Sequence, residues 1–217
     1  ARSHVEKTLN ALRAWGRLSA PERSDDAAFR QISWAQGQPY GILRLSFRCN
    51  QDCSFCWQSR DWPAPPISLY QTWLDEMVEA GIKFVIFSGG EPTLIKELPD
   101  LVERAHGKFG LRTQIQTNAI QLRKKALAQD LAARGLQEAF ISFHCADAEI
   151  SDAMTRAPGT HKHTVTGIKN TLEAGIAIYL NAVVERANYE SLPEQAAFIV
   201  EHFVRPYRKN RPRLVTY

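Results

Sequence analysis

No apolar run among the 217 residues approaches the roughly 20 residues that a membrane-crossing helix needs. The charged and then apolar opening of a secretory signal is also missing. Cysteine is scarce, at four residues, and three of these are crowded together. That argues against a disulfide framework and for a reducing, cytoplasmic setting. Charge of one sign is nearly balanced, with 27 Lys+Arg against 23 Asp+Glu and a net of +4. Such a balance permits nucleic acid or an acidic peptide as partner and requires neither. The basic run Arg205, Arg208, Lys209, Arg211 and Arg213 contains one aromatic, Tyr207, so it reads as a solvated helix end. An apolar share of 44% and this length suit one domain with an appendage. The chain opens on Ala1 and stops at Tyr217 inside an apolar run, so we expect a fragment cut in or after its last strand.

What is present is a repeating grammar of strands and helices. Strands are expected over residues 41–47, 84–88, 112–116, 139–144 and 176–184, with a sixth beginning at 214. Between them lie amphipathic helical patterns. Ser68 with Gln71, and Ser191 with Glu194, have capping-box spacing, and Gly81, Gly135 and Gly175 offer C-terminal stops. Leu69, Trp73 and Met77 are expected as one buried stripe, and Leu98, Leu101, Val102 and Ala105 as another. Single helices between strands imply parallel pairing through right-handed crossovers. The resulting fold class is α/β, a partial (β/α)6 parallel barrel or an open doubly wound sheet over residues 39–217. Val5, Leu9, Leu12 and Trp15 predict a helical N-terminal extension over residues 1–38.

Strands covered on both faces should be almost wholly apolar, yet several here alternate. Arg44, Ser46 and Arg48 share one face of the first strand, with Leu43, Leu45 and Phe47 opposite. Gln114 and Gln116 share a face of the third, Ser142 and His144 of the fourth, and Asn181 interrupts the fifth. With a side-chain period of two, these sets can face one lumen. An antiparallel sheet wetted on one side would alternate similarly, but the intervening helices favour parallel order. Ligands of α/β folds gather at the C-terminal ends of such strands.

The crowded cysteines are Cys49, Cys53 and Cys56, and they follow the first strand on that same rim. Three soft thiolates in a short loop suit a metal centre. A four-iron cluster usually takes four thiolates, so three would leave one iron open for chemistry. Two other readings stay available at this point. One is a structural zinc site completed by His144 or Cys145; the other is an electron carrier whose fourth cluster ligand is Cys145. Cys145 otherwise reads as a small buried hydrophobe.

The spacing Cys49-x3-Cys53-x2-Cys56, with Phe55 before the last cysteine, resembles that of radical S-adenosylmethionine (SAM) enzymes. Ser88-Gly89-Gly90-Glu91-Pro92, after the second strand, is similar to the Gly-Gly-Glu-Pro turn of that family. Thr117-Asn118, Ser142 and Leu180-Asn181 also fall where such enzymes line their SAM site. The resemblance covers residue 40 onward. It implies a [4Fe-4S] cluster on Cys49, Cys53 and Cys56, with SAM chelating the remaining iron. An electron from the cluster would split the sulfonium bond, giving methionine and a 5′-deoxyadenosyl radical that abstracts a substrate hydrogen. It further implies that Gly89 and Gly90 admit the methionine end of SAM and that Glu91 accepts from its ammonium group. Ser142 and Asn181 would bond its carboxylate or ribose, Asn118 would line the site, Phe55 would pack near adenine, and Arg156 would pair with the carboxylate. A reductant such as flavodoxin or ferredoxin is implied as partner.

Residues 143–149 and 180–184 resemble the peptide-modifying branch that carries a SPASM or twitch domain. A peptide is therefore the first expected substrate class, followed by RNA or a small molecule. His144 departs from the acidic residue commonest at its place in the family, which points to a different substrate.

Overall fold

The structure, a computed structural model, describes residues 40–58 and 64–207 together with the backbone of 214–216. The expected N-terminal extension over 1–38, and Arg208, Lys209, Arg211 and Arg213 of the basic run, lie outside the described residues.

Six parallel strands lie side by side in chain order: β1 (Tyr40–Arg44), β2 (Phe84–Ser88), β3 (Arg112–Thr117), β4 (Glu138–Ser142), β5 (Ala177–Asn181) and β6 (Leu214–Thr216). Each pair is parallel and in simple register, as in Gly41 beside Val85 and Ser142 beside Asn181. The intervening helices are α1 (Ile67–Glu79), α2 (Leu98–Glu103), α3 (Lys125–Ala133), α4 (Ala148–Thr155), α5 (His161–Glu173) and α6 (Leu192–Ile199). α2 runs on through a π-helical turn, Arg104–Lys108. This is the α/β partial barrel that the alternation predicted.

The core lies between strands and helices. Leu43, Val85, Phe87, Ile115, Ile141, Ile178 and Leu180 are buried on the helix side. They meet Leu98, Leu101, Val102 and Ala105, the predicted second stripe, together with Ile168 and Leu172 of α5. The first stripe is rotated by one residue. Tyr70 and Leu74 are the buried pair of α1, while Trp73 and Met77 are only partly covered. Tyr70 decides this rotation, because its hydroxyl reaches inward to donate to the Leu45 carbonyl.

Neither capping box forms. α1 starts directly after Pro66, so Ser68 already sits inside the first turn and no side chain caps the helix. At α6, the Ser191 hydroxyl instead donates to the Asn188 carbonyl at 2.9 Å. The side-chain cap of α4 is Asp147, which accepts from the amides of Glu149 and Ile150 at 2.8 and 3.0 Å. Gly81 does end α1 as predicted, with φ of 80° and Ile82 N donating to Met77 O at 2.9 Å.

Candidate functional site

β1 ends at Arg44, but the chain beyond it stays beside the turn that follows β2. Leu45 N donates to Ser88 O at 2.9 Å, Gly90 N to Ser46 O at 2.6 Å, and Glu91 N to Arg48 O at 2.9 Å. This contact requires both glycines. A Cβ on Gly89 would lie under 3.0 Å from Ser46 O, and one on Gly90 would lie under 3.0 Å from Arg48 O. Gly89 also has φ of 140°, which other residues rarely adopt. The space a side chain would take at these positions is therefore filled by the backbone entering the cysteine loop. The two residues border the cavity described below while holding that loop in place.

The loop is gripped from its far side as well. Asp52 N donates to Thr155 O and Ser54 N to Met154 O, both at 2.9 Å, so the end of α4 pairs with it like a short strand. Cys56 N closes a turn on Cys53 O at 3.1 Å. Between the loop and the strand ends lies a cavity of about 420 Å³. Cys49, Cys53, Cys56 and Phe55 line it, with Gly89, Gly90, Glu91, Asn118, Ser142 and Asn181.

Arg156 is not brought there. It ends α4 with φ of 49°, is well exposed, and faces Asp52 at 3.7 Å. Phe47 also departs from expectation. It lines the cavity, because the strand stops at Arg44 and the two-residue period stops with it. Sequence reasoning gave no role to Gln51, Trp57 or Phe140, which lie on the cavity wall. Phe140 and Gln116, both on that wall, carried a readable signal: Phe140 shares a face of β4 with Ser142, and Gln116 lies on the polar face of β3.

Glu91 is almost fully buried. One carboxylate oxygen accepts from Thr93 N at 3.0 Å, from the Thr93 hydroxyl, and from Thr117 Oγ1 at 2.7 Å. The other accepts from Asn118 N at 2.8 Å. Burial pushes its pKa up while these four bonds pull it back. A carboxylate offers about four lone pairs, two on each oxygen, so the first oxygen is fully engaged in tying β2 to β3 while the oxygen bonded to Asn118 N keeps one lone pair. Asn118 is turned toward the cysteine loop, its Nδ2 2.7 Å from Asn50 Oδ1 and 3.8 Å from Cys49 Sγ.

His144 lines the cavity beside Phe55, with ring centroids 4.8 Å apart and an interplanar angle of 71°. Val183 N donates to its Nδ1 at 3.2 Å, which places the proton of the neutral ring on Nε2. Burial lowers its pKa to about 4. Cys145 turns away from the cavity, fully buried, with its sulfur 3.2 Å from Ser191 Oγ. This removes the fourth ligand that an electron carrier would use. Among the described residues, no three His, Cys, Asp or Glu side chains gather closely enough to hold a single ion. A structural zinc site would need them at one centre.

The radical SAM superfamily profile matches residues 43–199. The chain belongs to the radical SAM superfamily. The protein named PqqA peptide cyclase in Granulibacter bethesdensis is 32% identical over 163 residues, spanning 71% of this chain and 42% of its own length. Its counterpart in Rhodopseudomonas palustris is 33% identical over 157 residues, spanning 70% of this chain and 41% of its own length. Streptococcus suis SuiB, solved with its precursor peptide SuiA, superposes with a TM-score of 0.65 at 22% identity. It covers 93% of this chain and 49% of its own, a likeness in fold. The chain thus spans less than half the length of these relatives. Its donor set suits radical SAM chemistry: three thiols on one cavity, with the fourth cysteine turned away.

Proposed function

We propose that this chain is the catalytic core of a radical SAM enzyme acting on a peptide. The observation that carries the reading is the cavity itself, where Cys49, Cys53 and Cys56 meet Ser142 and Asn181 at the C-terminal ends of parallel strands. In this reading the three cysteines hold a [4Fe-4S] cluster on three irons, and SAM takes the fourth. Bound together, the two supply one-electron cleavage of a sulfonium bond and a carbon radical able to remove hydrogen from a substrate.

The chain's own part is position and exclusion. Gly89, Gly90 and the end of α4 fix the loop that presents the thiols. Ser142 and Asn181 offer a hydroxyl and an amide to the carboxylate or ribose, and Phe55 an apolar face to the adenine. Asn118 steadies the loop beside Cys49. A peptide is favoured because the identity to curated relatives is to proteins named as peptide cyclases. The reductant would be a small carrier such as flavodoxin or ferredoxin, and free thiols are in keeping with a reducing compartment such as the cytoplasm.

Anaerobic protein given SAM and a strong reductant should form 5′-deoxyadenosine. Cys53→Ala should abolish that product, and Cys145→Ala should leave it. No product from iron- and sulfide-replete protein would sink the reading.

A further inference from the structure

The His144 imidazole on the cavity wall is fixed at one nitrogen and bare at the other. The residue is only 4% exposed. Val183 N donates to Nδ1 at 3.2 Å, so the proton of the neutral ring sits on Nε2. The backbone around this bond is clamped by Asn188, which is fully buried: its Nδ2 donates to His144 O and to Val183 O, both at 2.8 Å. Asn188 Oδ1 accepts from Glu185 N at 2.8 Å, so that amide cannot turn over. Phe55 meets the ring edge to face, with centroids 4.8 Å apart. Nε2 itself has no acceptor among the described residues. It is not sealed in either. The Nε2 of His161 is buried and bare, whereas that of His144 keeps accessible surface, and the space that His144 borders is the cysteine-lined cavity. Polar groups this deeply placed nearly always have a partner, so an oriented donor left unpaired on a cavity wall points to a ligand that supplies the acceptor.

We propose that His144 is a specificity-determining residue whose Nε2–H donates to an amide carbonyl oxygen of the peptide that enters the cavity. Two observations select a neutral acceptor. Burial holds the ring's pKa near 4, so at neutral pH this donor carries no charge. Among the described residues, no Lys or Arg lines the cavity. An anionic group brought against His144 would lose its water without gaining a counter-charge, which is costly. An ammonium group has no acceptor to offer. A carbonyl oxygen costs less to bury and takes the N–H bond directly. His144 stands two residues past Ser142, beyond the end of β4, and so belongs to the rim of the site rather than to the lumen below. The inference rests on the enzymatic reading for the identity of the ligand as a peptide.

Ligand-observed NMR on anaerobic, cluster-loaded protein with SAM can read the weak binding of a minimal peptide unit. The probe is N-acetylalanine methylamide, compared with its dithioamide, in which sulfur replaces both carbonyl oxygens and accepts hydrogen bonds poorly. The amide should bind about fivefold more tightly than the dithioamide. N-acetylalanine, the carboxylate counterpart, should bind more weakly than the methylamide. His144→Phe, which keeps a ring beside Phe55 but has no N–H, should bring the amide preference to about one. His144→Gln, whose donor is no longer held by Val183, should keep only part of it. Equal affinities of amide and dithioamide in the parent protein, binding of neither, or tighter binding of the carboxylate would overturn the proposal. So would a preference that survives His144→Phe or is untouched by His144→Gln. No preference in the parent, together with a tenfold loss of SAM affinity in His144→Phe, would give the donor to SAM instead. The parent comparison and His144→Gln stand even where His144→Phe misfolds. 5′-Deoxyadenosine measured in the same samples separates the two readings: product without the amide preference sinks only the role of His144, and the preference without product sinks only the enzymatic reading.

Discussion

Two buried side chains at the site carry separable energetic consequences. Glu91 accepts four hydrogen bonds that join the turn after β2 to the end of β3. Glu91→Gln replaces one accepting oxygen by a donor that must face another donor. A buried clash of that kind costs about 1–3 kcal/mol, and thermal denaturation should show the loss. His144 behaves differently. An unfolded histidine binds its proton near pH 6.5, whereas the buried ring does so only near 4. Within that window the unfolded chain holds more protons, so the contribution is complete above the unfolded value and fades as pH falls toward the folded one. At most about 3 kcal/mol is involved. Urea unfolding at two pH values inside and above the window should show this slope in the parent protein and a flatter one in His144→Gln.

At the scale of elements, the cysteine loop has no regular structure of its own and is held by its neighbours. The Gly89-Gly90 turn supports one side through backbone contacts that leave no room for a Cβ, and the last turn of α4 supports the other. Gly90→Ala should displace the loop without unfolding the barrel. Iron and sulfide content should fall sharply while the far-ultraviolet circular dichroism stays unchanged. Arg156→Ala should do little, because an exposed ion pair is worth about 0–1 kcal/mol. Its SAM affinity should stay within twofold of the parent, and a larger loss would restore Arg156 as a ligand. The same contrast marks what was legible in the sequence. Periodicity located every strand and the stripe of α2, because burial repeats along one element. Motif spacing named residues that the fold does gather around one cavity. The partners of Glu91, the backbone clasp on the glycines and the pairing of Arg156 with Asp52 were not readable. Each depends on a residue far away in sequence that only the folded chain brings near. The capping boxes failed for local reasons instead: Pro66 starts α1 early, and the Ser191 hydroxyl is held by Asn188.

At the scale of the molecule, a sheet in chain order sends all of its post-strand loops to one end, so residues from five strands reach a common cavity without any long excursion. Polar side chains on the lumen face of β3, β4 and β5 continue that site downward, while the helix face holds the core. Stability and binding therefore sit on opposite faces of the same strands, and filling the lumen should stabilise the whole sheet cooperatively. If SAM binds only through the cluster-bearing site, its stabilisation must vanish when the cluster is absent. A ligand that binds only the native state, present at one hundred times its Kd, adds about 2.7 kcal/mol. Anaerobic melting of cluster-loaded protein should thus shift upward with SAM, saturably and by several degrees, while cluster-free protein and Cys53→Ala should show no shift. An equal shift in cluster-free protein would mean that the barrel binds SAM without its thiolates, and the link between the cysteine loop and the lumen would fail with it.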